Sequence, residues 1–147
     1  MPDDSQLGPQ LGTRLTYLLK RALLELHRLH EVHLAPYGID ARELTVLLFL
    51  DGREPESQQE AARRLGVDRT TMVALLDALE AKGLVVRQTD AGDRRRNVLV
   101  VTDAGRELLA QAIRASDDAE RELLAGLDAT DAARLRVLLQ RVAAPGT

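Results

Sequence analysis

The 147-residue sequence contains no cysteine, which excludes disulfide frameworks, thiolate metal sites and thiol redox switches. It has no tryptophan and only three aromatic residues, Tyr17, Tyr37 and Phe49. A core must therefore be assembled mainly from Leu, Val and Ala, a composition that favours helices. Long apolar runs are missing too: Val46 to Leu50 and Val98 to Val101 fall far short of the roughly eighteen residues that a membrane-spanning helix needs. The first ten residues, MPDDSQLGPQ, lack the basic start and apolar centre of a secretory signal. A cytoplasmic protein that does not engage the membrane is expected. No nucleophile elbow, phosphate-binding loop or His-x-x-x-His pair occurs, so neither catalysis nor a cofactor is expected.

What the chain does have is 45% apolar and 29% charged residues, enough to bury a core and remain in solution. Its length suits one domain with helical appendages. The net charge of −3 argues against a uniformly basic nucleic-acid coat, but the charge is unevenly spread. Residues 63–96 hold eight basic side chains against five acidic ones, a surplus of +3, so the rest of the chain carries −6. A cationic middle on an acidic body can attract phosphates locally and bias the orientation of approach. On charge alone, an ordinary solvated face would look the same.

Apolar residues recur at spacings of three and four from Leu11 to Leu29, predicting an amphipathic helix over residues 11–34 that Pro36 and Gly38 end. A second helix is predicted over 41–50, with Asp40 as N-cap. Ser57 with Glu60 three residues on reads as a capping box opening a third helix, which Gly66 closes. Asp68 then caps a fourth helix over 69–82, with Met72, Leu75, Leu76 and Leu79 facing inward and Gly83 as terminator. The three-residue turn Gly66-Val67-Asp68 between them suits a helix-turn-helix. After Gly83 the period becomes extended: valine-rich runs 84–88 and 97–101 flank a charged tip and predict a hairpin. Thr102 caps a long helix over 103–125, and Asp128 or Thr130 starts the last one, ending near Val142. Only residues 1–9 and 144–147 look frayed.

This order predicts a mainly α fold, a winged helix-turn-helix with a two-stranded wing set between terminal helices. In SQQEAARRLGVDRTTMVALLDALEAKGLVVR (57–87) and DAGDRRRNVLVVTDAGREL (90–108), the chain resembles the MarR family of transcriptional regulators. The resemblance joins the helix-turn-helix, an Asp-x-Arg tip at Asp93-Arg94-Arg95 and a Leu-x-Val-Thr-x-x-Gly exit over 99–105, and its plan covers nearly the whole chain. It implies a repressor of transcription that binds double-stranded DNA as a homodimer on a pseudo-palindromic operator and is released by a ligand. The expected division is an N-terminal dimerisation helix (1–35), the DNA-binding domain (36–102) and C-terminal dimerisation helices (103–147).

The start of the fourth helix presents Arg69, Thr70 and Thr71, an arginine able to grip guanine and two hydroxyls able to serve bases or phosphates. The threonines could instead only support the first helical turn. Ser57, Gln58 and Gln59 open the third helix, where a helix N-terminus attracts phosphate, although a cap and solvated glutamines would read alike. Arg94, Arg95 and Arg96 cluster at the hairpin tip. By resemblance, Arg95 is the arginine that enters the minor groove, and Asp93 holds the loop in shape. A solvated charged turn is the alternative. Family members often carry a polar residue further along the recognition helix, where this chain has Val73, Ala74 and Ala78; that shifts weight to Arg69 and the wing.

Leucines crowd both ends of the chain at helical spacing, and the resemblance implies that these segments interlock across a two-fold axis. His27, His30 and His33 step by three residues and drift round the first helix. No metal is assigned to them: a site would need further ligands, with Glu25 or Glu31 nearest. By resemblance, a cleft involving His30, His33, Tyr37 and Arg42 could accept a small anionic or aromatic effector. The alternative function is a winged-helix protein-interaction module without sequence-specific DNA binding, for which a basic wing would be unnecessary.

Overall fold

The computed structural model describes residues 7–144, so the outermost of the residues expected to fray lie outside it. Six helices and one hairpin follow in order: α1 (Leu15–Leu34), α2 (Ala41–Leu50), α3 (Gln58–Leu65), α4 (Arg69–Ala81), β1 (Val85–Thr89), β2 (Asn97–Val101), α5 (Asp103–Leu123) and α6 (Ala129–Ala143). The described residues form two compact units, one of His30–Ser116 and the other of those up to Leu29 together with those from Asp117 on. Their boundaries fall inside α1 and α5, not at the helix ends.

In the His30–Ser116 unit, Leu34, Leu47, Met72, Leu76, Leu79 and Leu109 are shut off from solvent and form one core with the buried residues of the hairpin. Each large aliphatic side chain buried there contributes roughly 1.5–3 kcal/mol of transfer free energy. Met72, Leu76 and Leu79 share one face of α4, and Leu75 packs against the core while partly exposed. The opposite face of α4 is thereby left to solvent. Asp40 caps α2 in a complete capping box with Glu43. Buried Glu43 also accepts from Lys82 Nζ at 2.6 Å, which ties the start of α2 to the end of α4.

β1 and β2 pair antiparallel, with Val85 opposite Val101 and Thr89 opposite Asn97. The first strand begins one residue later than expected because Leu84 N–H is used to close α4, bonding to Leu79 O at 3.0 Å. A single-residue bridge adds Glu56 to the far side of β2, where Leu99 N–H donates to Glu56 O at 2.9 Å. No sequence period announces a one-residue pairing.

Two further expectations need correction. The first helix starts at Leu15 because Leu11–Thr13 form a separate 3-10 turn, in which the Thr13 hydroxyl donates to Gln10 O at 3.0 Å and Arg14 leaves in an extended conformation. Ser57 and Glu60 make only half of a capping box. Ser57 Oγ accepts from Glu60 N–H at 3.2 Å, but the Glu60 carboxylate pairs with Arg96 at 2.7 Å instead of reaching back. A charge-assisted bond to a guanidinium is stronger than one to a neutral amide.

In the other unit, α6 starts from Asp128, whose side chain accepts from Asp131 N–H, and has no buried residue although it carries Leu135, Val137, Leu138, Leu139 and Val142. An apolar groove of about 620 Å³ is lined by Leu15, Leu18, Leu19 and Leu26 of α1 and by Leu123, Leu135 and Leu139 of the C-terminal helices. Leu15 is 74% exposed and Val142 79%. Among the described residues no helix is long and apolar enough to cross a membrane.

Candidate nucleic-acid interface

The turn between α3 and α4 sets the site. Gly66 adopts φ +65°, a left-handed closure, and Val67 N–H reaches back to Ala62 O at 3.0 Å. The pairing of 6→1 and 5→2 bonds that ends such a helix requires this conformation, which glycine reaches without a side-chain penalty. The chain then swings into Asp68, the N-cap of α4.

Asp68 Oδ1 accepts from Thr71 N–H and Oδ2 from the Thr71 hydroxyl, both at 2.8 Å. These bonds, the backbone one first, hold the Asp68 carboxyl below the ordinary carboxylate range. With the folded value below the unfolded one, the cap's contribution is present above the ordinary Asp pKa and is lost as pH falls through the folded value. The stability gap between wild type and Asp68→Asn should therefore narrow below about pH 4. Urea unfolding at stepped pH checks this, and a gap constant with pH would contradict it.

Cap formation divides the two threonines. Thr71 has its hydroxyl hydrogen committed to Asp68 and is half-buried, whereas Thr70 is exposed beside exposed Arg69 at the positive end of the α4 dipole.

The wing tip is a seven-residue loop over 90–96. Asp93 shapes it twice: its Oδ1 accepts from Arg95 N–H at 3.0 Å and its carbonyl from Arg96 N–H at 3.1 Å. Asp90 Oδ1 accepts from Gly92 N–H at 3.0 Å. Arg94 and Arg95 on this turn are exposed, while Arg96 is half-buried and folds back onto Glu60 at 2.7 Å and Asp90 at 3.6 Å.

The basic residues thus fall into two groups. Arg64 pairs with Glu56 at 3.2 Å, Arg87 with Asp77 at 3.3 Å and with Glu80, and Arg96 as above. Among the described residues of 63–96, Arg63, Arg69, Arg94 and Arg95 form no ion pair, and Arg63 lies near the end of α3, outside the groove that Arg69 and Arg95 line. A paired arginine would have to give up one carboxylate to take a phosphate; an exposed unpaired one exchanges only water.

Ser57, Gln58 and Gln59 from the start of α3, Arg69 from the start of α4, and Arg95, Arg96 and Asn97 from the wing line one groove of about 710 Å³. Thr70, Thr71 and Arg94 stand outside its lining. Asn97 escaped the sequence reading, and Arg87 entered it only as one of the eight basic residues of 63–96, without a site role. Asn97 carries no motif signal, and Arg87 sits in a valine-rich strand where only its charge could have drawn attention.

The residues expected to receive an effector are less closely assembled. His30 Nε2 lies 2.9 Å from Ser116 Oγ, His33 is half-buried one turn on, the Tyr37 ring packs against the core, and Arg42 is exposed on the first turn of α2. The interface groove and the apolar groove of the other unit are lined by other residues. Among the described residues no group of three or more His, Asp or Glu side chains could hold a metal ion.

A helix-turn-helix whose second helix bears an unpaired arginine at its positive end, flanked by a hairpin with an arginine tip, is a winged helix-turn-helix of the type that reads duplex DNA. The model of the MarR family matches residues 37–96. A transcriptional repressor, CouR, solved bound to a 23-mer DNA duplex is 36% identical over 92% of this chain and 96% of its own, with a TM-score of 0.84. CouR from Rhodococcus jostii RHA1 bound to p-coumaroyl-CoA is 30% identical over 95% of this chain and 99% of its own, with a TM-score of 0.80. Wild-type apo MarR from E. coli is 27% identical over 89% of this chain and 98% of its own, with a TM-score of 0.78. The chain belongs to the MarR family of transcriptional regulators, a family that is not enzymatic.

Proposed function

We propose that this chain is a ligand-responsive transcriptional repressor, acting in the cytoplasm as a homodimer on a pseudo-palindromic DNA operator. The observation that carries the reading is the division of the arginines: Arg69 at the α4 N-terminus and Arg94 and Arg95 at the wing tip are exposed and unpaired, on elements that border one groove. In this reading Arg69 and Thr70 face base edges in the major groove, Ser57, Gln58 and Gln59 hold the phosphate backbone, and Arg94 and Arg95 reach the adjacent minor groove. Thr71 supports the cap, Asp93 shapes the loop and Arg96 fastens it. The repressor bound to duplex DNA supports the partner. A protein-only interaction module is not favoured.

Dimerisation follows from the exposed apolar surface. A 15-residue helix with no buried side chain leaves more contiguous hydrocarbon in water than single chains ordinarily tolerate. A second copy related by a two-fold axis would cover it and set the two recognition helices about 34 Å apart, one turn of DNA. The effector we propose is a small anionic or aromatic compound received near His30, His33, Tyr37 and Arg42. The relative bound to p-coumaroyl-CoA, an aromatic acyl group on an anionic carrier, supports that class.

A mobility-shift titration on duplexes selected by the protein from a random-sequence pool tests the reading. Arg69→Ala should weaken the selected duplex about tenfold more than a mixed-sequence one, since a bidentate arginine–guanine contact discriminates by roughly 1–3 kcal/mol. Equal losses on both duplexes would remove Arg69 from base readout.

A further inference from the structure

We infer that Arg87, which lies in β1 and is not itself assigned to DNA, is a positioning residue that fixes the polarity of the Gln58 amide so that α3 offers a donor to phosphate. This rests on the reading of Ser57, Gln58 and Gln59 as backbone contacts. The Arg87 guanidinium joins three elements: it pairs with Glu80 and, at 3.3 Å, with Asp77 of α4, and its Nη2 donates to Gln58 Oε1 of α3 at 3.2 Å. Asp77 and Glu80 lie three residues apart, on neighbouring positions of one helix face, and hold the guanidinium in place.

The chemistry of the groups determines which way the glutamine points. A guanidinium has only donors, so the atom that Gln58 turns toward it must be the carbonyl oxygen. The amide nitrogen, which only donates, is then left for the groove that the same side chain lines. A donor at the start of a helix suits a phosphate oxygen. Without Arg87 the carboxylates of Asp77 and Glu80, which share its guanidinium with Gln58, would lose their cation and attract the amide N–H instead. The glutamine would turn over and present its oxygen to the phosphate. Arg87 thus does two things: it neutralises two carboxylates of the recognition helix and sets the sense of a neighbouring contact.

The test is a double-mutant cycle on DNA binding, using a mixed-sequence duplex because a phosphate contact is indifferent to sequence. Gln58→Ala should weaken binding about tenfold and leave the salt slope unchanged, because a neutral amide releases no counterion from the phosphate. Arg87→Lys keeps the charge near the carboxylates but not the fork that also reaches Gln58, and should cost a similar factor. The double variant should bind no worse than Gln58→Ala alone, because the second change then has nothing left to orient. Gln58→Lys, whose ammonium needs no orienting, should bind at least as tightly as wild type and be insensitive to Arg87→Lys. This arm stays informative if Arg87→Lys alone loosens the fold. Losses that multiply in the double variant, or a Gln58→Lys protein that still depends on Arg87, would overturn the assignment. Failure of the wild-type protein to bind any duplex would instead overturn the DNA-binding reading beneath it.

Discussion

Gly105→Ala is expected to lower the melting temperature by about 4–8 °C, although alanine is the better helix former. Gly105 lies in the first turn of α5, and a Cβ built on it would stand 2.2 Å from Leu84 O and 2.8 Å from Val101 Cγ1. Neither neighbour can easily retreat. Leu84 O accepts from Thr102 N–H at 3.0 Å, the Thr102 hydroxyl donates to Gly83 O at 2.6 Å, and Gly105 N–H donates to Thr102 Oγ1 at 3.0 Å. These bonds tie the end of α4, both wing strands and the start of α5 into one junction. A methyl group there must break it or displace the backbone at Leu84, just before β1. Overpacking a filled site costs roughly 3 kcal/mol at its upper range, against about 1 kcal/mol gained from helix propensity. At about 2–4 °C per kcal/mol for a chain of this size, the net sign is loss. Thermal unfolding at matched protein concentration decides it; a melting temperature equal to or above wild type would show that the junction yields.

Arg95→Ala should weaken DNA binding by about a hundredfold while leaving the melting temperature unchanged. Its guanidinium is exposed and unpaired at the wing tip, so truncation removes no internal contact. An arginine set into a narrow minor groove gains from the concentrated negative potential. If each copy loses roughly 1–3 kcal/mol, a two-fold dimer loses that amount twice. The neighbour supplies the contrast. Arg96 ties the loop to Glu60 and Asp90, so Arg96→Ala should loosen the wing and weaken DNA through disorder. Titration at two salt concentrations alongside melting separates them. Unchanged affinity in Arg95→Ala, or a fall in its stability, would move the DNA contact away from the tip.

The parts of this molecule that were legible in sequence are those governed by local chemistry. Helical spacing, the caps at Asp40, Asp68 and Asp128 and the closing glycines at 66 and 83 each depend on residues a few positions apart, and they set the helices and the wing within a residue or two, except the start of α1, which lies four residues later than expected. The Leu-x-Val-Thr-x-x-Gly pattern marked the wing exit, but only packing shows why its last residue must be glycine. What local reading missed depends on partners distant in the chain. Ser57 and Glu60 have the spacing of a capping box, yet Glu60 is drawn to Arg96, 36 positions away. Arg94, Arg95 and Arg96 are indistinguishable as letters, and the carboxylates on α3 and in the loop separate the anchor from the two exposed side chains. The Glu43–Lys82 tie and the Glu56 bridge to β2 likewise have no periodic signature.

Hydroxyl-radical footprinting of the wild-type protein on a duplex selected from a random pool addresses the central claim most directly, because it reports groove, symmetry and spacing together. The account predicts two protected patches related by a two-fold axis, centred about one helical turn apart, with flanking minor-groove protection that disappears in Arg95→Ala. A single asymmetric patch, or protection that survives the loss of the wing arginine, would contradict it.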